Sequence, residues 1–157
     1  PLLLHIHYLQ LVVHKPICIF LLKMKEIQNK TTQSMEIKEQ LWICLGHQCI
    51  GEAFDAEIVK CDIIKHGKTS MISHNKNGLF EHIKDPYHVM RYHSLVIDRK
   101  TLSNDFEVTG WIKNGEENTI MAIQHNHYPL YGLQFHPESI FTDQGSKLVS
   151  NFIQNIK

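Results

Sequence analysis

"LWICLGHQC", Leu41 to Cys49, is the stretch on which the fold turns. An apolar run ends at Cys44, a glycine follows two residues later, and Ile50, Ala53 and Phe54 continue at helical spacing. The pattern predicts a short buried strand, a tight turn at Cys44 and then a helix. A cysteine at such a turn sits where backbone N–H groups converge and the helix dipole is positive. That lowers a thiol pKa from its free value of ~8.5 and favours the thiolate. The same N–H groups can hold an oxyanion. Gly46 fits the second glycine of a G-x-nucleophile-x-G elbow. Where that pattern has its first glycine, this chain has Trp42. The indole is expected either to push the strand away or to swing into space left where residues 1–40 do not supply the expected N-terminal segment. The plain alternative is a buried core thiol, the commoner fate of a cysteine.

Downstream, "EIVKC", "TSMIS", "HVMRYHSLVI", "FEVTGWI", "TIMAIQH" and "LYGLQF" are β-branched or aromatic and bounded by polar turns, so each reads as a strand. "GLFEHI" fits a short turn or helix before Pro86. The C-terminus reads as an amphipathic helix, capped by Thr142 or Asp143, with Leu148, Val149, Phe152, Ile153 and Ile156 on one apolar face. Strand–helix alternation at both ends, with antiparallel strands between, predicts an α/β fold with a mixed sheet.

Residues 1–40 differ from the rest. "PLLLHIHYLQLVVHKPICIFLLKMK" is apolar, but His5, His7, Gln10, His14, Lys15 and Pro16 interrupt it. No clean run reaches the ~18–20 residues that cross a bilayer. Nor does a basic n-region or small-residue cleavage site frame it. It reads as one or two buried strands, followed by a polar linker or weak helix.

The chain of 157 residues suits one domain with a real core. Sixteen basic and sixteen acidic side chains balance, so no strong field points to nucleic acid or a membrane surface. Four cysteines without a CxxC pair favour free thiols in a reducing, cytoplasmic setting. Twelve histidines fall into no HExxH or Cys/His zinc spacing, so no metal site is expected.

A cysteine nucleophile needs a base and a group to orient it. "LQFHPES", Leu133 to Ser139, offers both. The apolar run ends at His136, and Pro137 favours an extended backbone. Residues i and i+2 of an extended segment share a side, so Glu138 is expected to reach the far nitrogen of His136. Alone, this stretch reads equally as a surface loop with a helix-capping acid.

Together, "CLGHQ" at Cys44–Gln48 and "FHPES" at Phe135–Ser139 resemble the signatures of class I, triad-type glutamine amidotransferases. "HGKTS" (His66–Ser70), "RYHSLV" (Arg91–Val96) and "QG" (Gln144–Gly145) narrow the resemblance to the small glutaminase subunits of anthranilate and aminodeoxychorismate synthases. It covers residues 41–156, so residues 41–157 are taken as the amidotransferase domain and 1–40 as an unmatched, atypical segment.

The resemblance implies a flavodoxin-like α/β domain that hydrolyses glutamine to glutamate and delivers ammonia to a chorismate-using synthase. It implies Cys44 as nucleophile, His136 as proton carrier and Glu138 as its orienter. Gln48, Ser94 and Leu95 are implied as contacts to glutamine, and the Leu45 N–H as an oxyanion donor. His66, Gly67 and Lys68 are implied contacts to the synthase subunit, in a heterodimer or heterotetramer. No cofactor is implied, since thiolate and imidazole do the chemistry. "RYHSLVIDRKTLSNDFEVTGW" leans toward the folate-type or shared subunit over the tryptophan type.

Family members also carry a "DNYDSF"-like turn and an "SPGPG"-like loop before the cysteine, and neither motif occurs in residues 1–40. The loop supplies a second oxyanion donor, whose loss typically costs ~100–1,000-fold in rate. The domain is therefore expected to be N-terminally incomplete and a poor glutaminase. The other readings are a related amidotransferase of GMP or carbamoyl-phosphate synthesis, an inactive fragment that at most binds the synthase subunit, and a cysteine hydrolase of peptides or esters.

Overall fold

The computed structural model describes residues 39–61, 67–114 and 117–155. The strands expected within residues 1–38, and His66 and Ile156, lie outside them. The described elements run β1 (Gln40–Ile43), α1 (Leu45–Ala53), β2 (Ile58–Lys60), β3 (Lys68–His74), a 3-10 turn (Gly78–Phe80), β4 (Tyr87–Arg91), β5 (Leu95–Ile97), β6 (Phe106–Asn114), β7 (Glu117–His125), β8 (Leu130–Leu133) and α2 (Gly145–Asn155). The expected single strand over "HVMRYHSLVI" is two, β4 and β5, broken at Tyr92–Ser94. The break has a cause. β4 pairs with β3, whereas β5 leaves that sheet to pair with β2.

Six strands form one sheet in the order β1-β8-β7-β6-β3-β4. β1 and β8 run parallel, with Trp42 opposite Gly132 and Ile43 opposite Leu133. The pairs β8–β7, β7–β6, β6–β3 and β3–β4 are antiparallel. This is the mixed sheet that the pattern predicted.

The apolar side chains divide into two cores. One gathers Cys49, Ile50 and Ala53 of α1 with Ile97, Phe106, Ile120 and Ile123. The other gathers Leu148 of α2 with Ile72, Phe80, Tyr87, Val89, Met121, Leu133 and Phe135. Each fully buried side chain of this kind contributes about 1.5–3 kcal/mol by leaving water. The cores thus hold α1 against β1 and β8, and α2 against the 3-10 turn.

The C-terminal helix starts later than expected. Neither Thr142 nor Asp143 caps it; Gln144 precedes its first residue, and the Gln144 carbonyl accepts from Leu148 N–H at 3.1 Å. Ile153, expected on the apolar face, is exposed, and Asn151 is buried instead. The 3-10 turn beneath the helix presents bare carbonyls, and Asn151 Nδ2 donates to Leu79 O (3.0 Å) and Glu81 O (2.8 Å). No helix among the described residues is long and apolar enough to cross a membrane.

Candidate active site

Parallel neighbours end on the same side of a sheet, ~4.8 Å apart. β1 and β8 are such a pair, so the residues after Ile43 and after Leu133 meet at one edge. Cys44 N–H donates to Leu133 O at 2.7 Å, which continues the ladder by one step past the strand. The chain then turns sharply. Cys44 has φ 52° and ψ −101°, outside the regions open to an L-residue without strain. Holding such a conformation costs about 1–3 kcal/mol and is characteristic of functional turns.

Trp42 does not push its strand away, because β1 stays in register with β8. The ring lies over Gly46 instead. A Cβ at Gly46 would sit 2.9 Å from Trp42 Cε3 and 3.0 Å from its Cβ. The indole Nε1 donates to Gln40 Oε1 at 3.0 Å. The glycine after the turn is therefore the space that the tryptophan before it fills.

Cys44 is partly exposed, whereas Cys49 and Cys61 are buried. The expectation of a lowered thiol pKa is overturned. Burial pushes the Cys44 thiol up, and the nearby Glu138 carboxylate adds to this; the Leu45 N–H and the Gln134 amide pull the other way and lose. A helix N-terminus alone does not outweigh desolvation here.

His136 Nδ1 lies 2.7 Å from Glu138 Oε1. A carboxylate only accepts, so Nδ1 carries a proton, and the neutral form of the ring has its lone pair on Nε2. That Nε2 is buried and has no hydrogen-bond partner among the described residues. The route by which Glu138 reaches the ring differs from the expected one. β8 stops at Leu133, and Ser139 N–H donates to His136 O at 3.3 Å, so residues 136–139 form a turn, not an extended run.

Three further bonds fix that turn. His136 N–H donates to Met90 O at 3.2 Å. The Thr142 hydroxyl donates to His136 O at 2.6 Å and accepts from Met90 N–H at 3.0 Å. Tyr92 meets the His136 ring edge-on, with centroids 5.1 Å apart. Gly145 lets α2 approach, since a Cβ there would collide with the Pro137 carbonyl.

Gln48 is fully buried. Its Nε2 donates to Leu95 O at 2.9 Å and to Gln134 Oε1 at 3.1 Å, and its own Oε1 has no partner among the described residues. Leu95 thereby joins Gln48 in one wall of the site, while Ser94 gives its carbonyl to Cys61 N–H at 2.9 Å. Gly67 and Lys68 are exposed at the start of β3, and a Cβ on Gly67 would lie 3.7 Å from Tyr92. No site role followed from the sequence for Gln134, for Thr142, which was expected to cap the C-terminal helix, or for Arg91 and His93 of "RYHSLV". Gln134 stood beside the motif, but nothing in its type or spacing marks it.

The class-I glutamine amidotransferase family profile matches residues 24–156. The chain is 48% identical over 114 residues to aminodeoxychorismate synthase component 2 of Serratia marcescens, covering 72% of this chain and 60% of that protein. It is 45% identical to anthranilate synthase component 2 of Cyanophora paradoxa over 72% of this chain and 58% of the relative. It thus spans about three fifths of the length of these curated relatives. A solved structure from Thermoplasma acidophilum, assigned to GMP synthase, superposes with a TM-score of 0.66 at 27% identity, over 74% of this chain and 56% of that one. A glutamine amidotransferase from Thermotoga maritima shares the fold, with a TM-score of 0.53 at 20% identity over 73% and 44% of the two chains. With its flavodoxin-like mixed sheet, the chain belongs to the class-I glutamine amidotransferases.

Proposed function

We propose that this chain is the glutaminase part of a chorismate-using synthase, hydrolysing glutamine and passing ammonia to its partner subunit. The observation that carries the reading is the meeting of a strained cysteine turn after β1 with an oriented His136–Glu138 pair after the parallel neighbour β8. The printed names of the relatives, aminodeoxychorismate and anthranilate synthase component 2, support the choice of synthase.

In this reading His136 Nε2 takes the Cys44 proton, and the sulfur attacks the side-chain amide carbon of glutamine. The Leu45 N–H, which already faces Cys44 sulfur, donates to the oxyanion. His136 then gives its proton to the departing nitrogen, so ammonia leaves and a glutamyl thioester remains. Water, deprotonated by His136, cleaves the thioester to glutamate and free thiol. Glu138 holds the imidazole tautomer throughout. Gln48, with Ser94 and Leu95, holds the amino-acid end, and the unpartnered Gln48 Oε1 is an acceptor for its ammonium group. Gly67 and Lys68, exposed near Tyr92, face the synthase subunit.

The alternative is a subunit that binds the synthase with little turnover. Glutamate release by the purified chain mixed with a chorismate-using synthase subunit decides between the two. Turnover of ~1 s⁻¹ or more, abolished by Cys44→Ser, supports the enzyme. A stable complex without glutamate release supports the second reading.

A further inference from the structure

Gln134, the residue after β8, is fully buried, and its amide lies against the cysteine turn. Its Nε2 is 3.5 Å from Cys44 O and 3.8 Å from Cys44 Sγ. Its Oε1 accepts from Gln48 Nε2 at 3.1 Å. The orientation of this amide follows from its neighbours. Gln48 Nε2 also donates to Leu95 O at 2.9 Å, so Gln48 presents nitrogen, not oxygen, to Gln134. A flipped Gln134 would set two NH2 groups against each other.

The same polarity extends away from the site. Leu95 O receives His93 Nδ1 at 3.0 Å, and His93 Nε2 accepts from Arg91 Nε at 2.9 Å. A guanidinium only donates, so His93 carries its proton on Nδ1. Burial and the Arg91 charge keep His93 neutral, at a pKa lowered to about 3. Every group from Arg91 to Gln134 thus has one allowed orientation.

We propose that Gln134 stabilises the Cys44 thiolate by donating its Nε2–H to the sulfur, held in that orientation by the buried Gln48–Leu95–His93–Arg91 chain. When the Cys44 proton leaves for His136 Nε2, the sulfur gains a full charge in a desolvated turn. A donor that cannot rotate away then counts for more than it would in water. The Gln134 contact opposes burial and the Glu138 charge, which both raise the thiol. The glutaminase reading supplies the need for a thiolate, so the inference rests on that reading.

The test is the pH profile of iodoacetamide alkylation at Cys44 in the full chain, read by mass spectrometry of the Cys44 peptide. Gln134→Leu removes the donor, and Gln134→Glu replaces it with an acceptor of the same shape. The midpoint is expected to rise by about one pH unit in Gln134→Leu and further in Gln134→Glu, with alkylation at pH 7.5 about tenfold slower. An unshifted midpoint in a folded variant overturns the proposal.

A role in packing alone would change the melting temperature and leave the midpoint in place. If both variants unfold, the wild type still decides. The Gln134 side-chain NH2 resonances must follow Cys44 ionisation and cease to do so in Cys44→Ser; resonances indifferent to it overturn the proposal. Alkylation needs no glutamine, so a failed glutaminase assay with a shifted midpoint sinks only the functional reading. Glutamine turnover with an unshifted midpoint sinks only this inference.

Discussion

His136 Nδ1 and Glu138 Oε1 lie 2.7 Å apart across a four-residue turn, and the ring's other nitrogen is buried without a partner among the described residues. The pair therefore presents a lone pair whose direction is set by a carboxylate that stays in contact with solvent. His136→Ala removes the group that moves the proton and should abolish glutamate release. Glu138→Gln keeps the shape and loses the charge, so its loss should be smaller than that of His136→Ala, since the imidazole that moves the proton persists. Equal activity in wild type and His136→Ala would sink the assignment.

Cys44 should be the described cysteine that a glutamine-like diazo-ketone labels. Cys49 and Cys61 are buried, whereas Cys44 is partly exposed. Because burial and Glu138 raise its thiol, labelling should accelerate as pH climbs through the alkaline range and not saturate near neutrality. Peptide mapping after labelling at several pH values checks both points. Preferential labelling of Cys61 would remove the elbow from consideration.

Trp42 and Gly46 should behave as one unit. Gly46→Ala alone forces its Cβ against the indole and should destabilise the chain by about 1–3 kcal/mol. In a Trp42→Gly background the same substitution loses its three nearest contacts and should cost far less. The double-mutant cycle, read from urea midpoints, should show coupling of ~1 kcal/mol or more. Additive effects would mean that the ring moves aside freely.

What the sequence disclosed and what it hid differ by range. The strand, turn and helix around Cys44 were legible because Leu41–Phe54 changes period at one residue, a local signal. The His136–Glu138 bond was legible from proximity in sequence, although the turn that makes it was not, because Pro137 tolerates both shapes. That β1 lies beside β8 was not readable, since strand order depends on contacts about ninety residues apart. Asn151 was hidden for the same reason. Helical spacing put Ile153 on the apolar face, but the carbonyls of Leu79 and Glu81 required a donor opposite them. Gln134 was silent because an amide gains its role only from the orientation of its partners.

Gly145→Ala should cost stability at the seam between α2 and the His136 turn. The added methyl would meet the Pro137 carbonyl, a backbone atom that cannot rotate away. Either α2 retreats or the 136–139 turn shifts, at a cost of about 1–3 kcal/mol. A retreat of α2 would lower only stability. A shifted turn would also misplace His136, and a displacement of ~1 Å can cost ~100-fold in rate. Urea midpoints and glutamate release measured together separate the two. The shared hydroxyl of Thr142 holds the turn to β4 and not to α2, so loss of stability with retained activity is the expected result.

Stability should fall as the solution is acidified below pH 6.5. His47 is fully buried, and its pKa is lowered from 6.5 to about 3, chiefly by desolvation. Between those values the unfolded chain binds a proton at His47 that the folded chain refuses. The stabilising contribution of the neutral ring is therefore complete above pH 6.5 and is lost as pH falls toward 3. His93, also lowered to about 3, acts in the same window and the same direction. Each group contributes a slope of about 1.4 kcal/mol per pH unit, so the pair gives roughly twice that. Urea midpoints between pH 6.5 and 5 isolate the histidines, because exposed carboxylates bind protons mostly below that range. His47→Met removes one titrating group and should reduce the slope by about 1.4 kcal/mol per pH unit. A midpoint that does not move between pH 6.5 and 5 would mean that both rings accept a proton in the folded state.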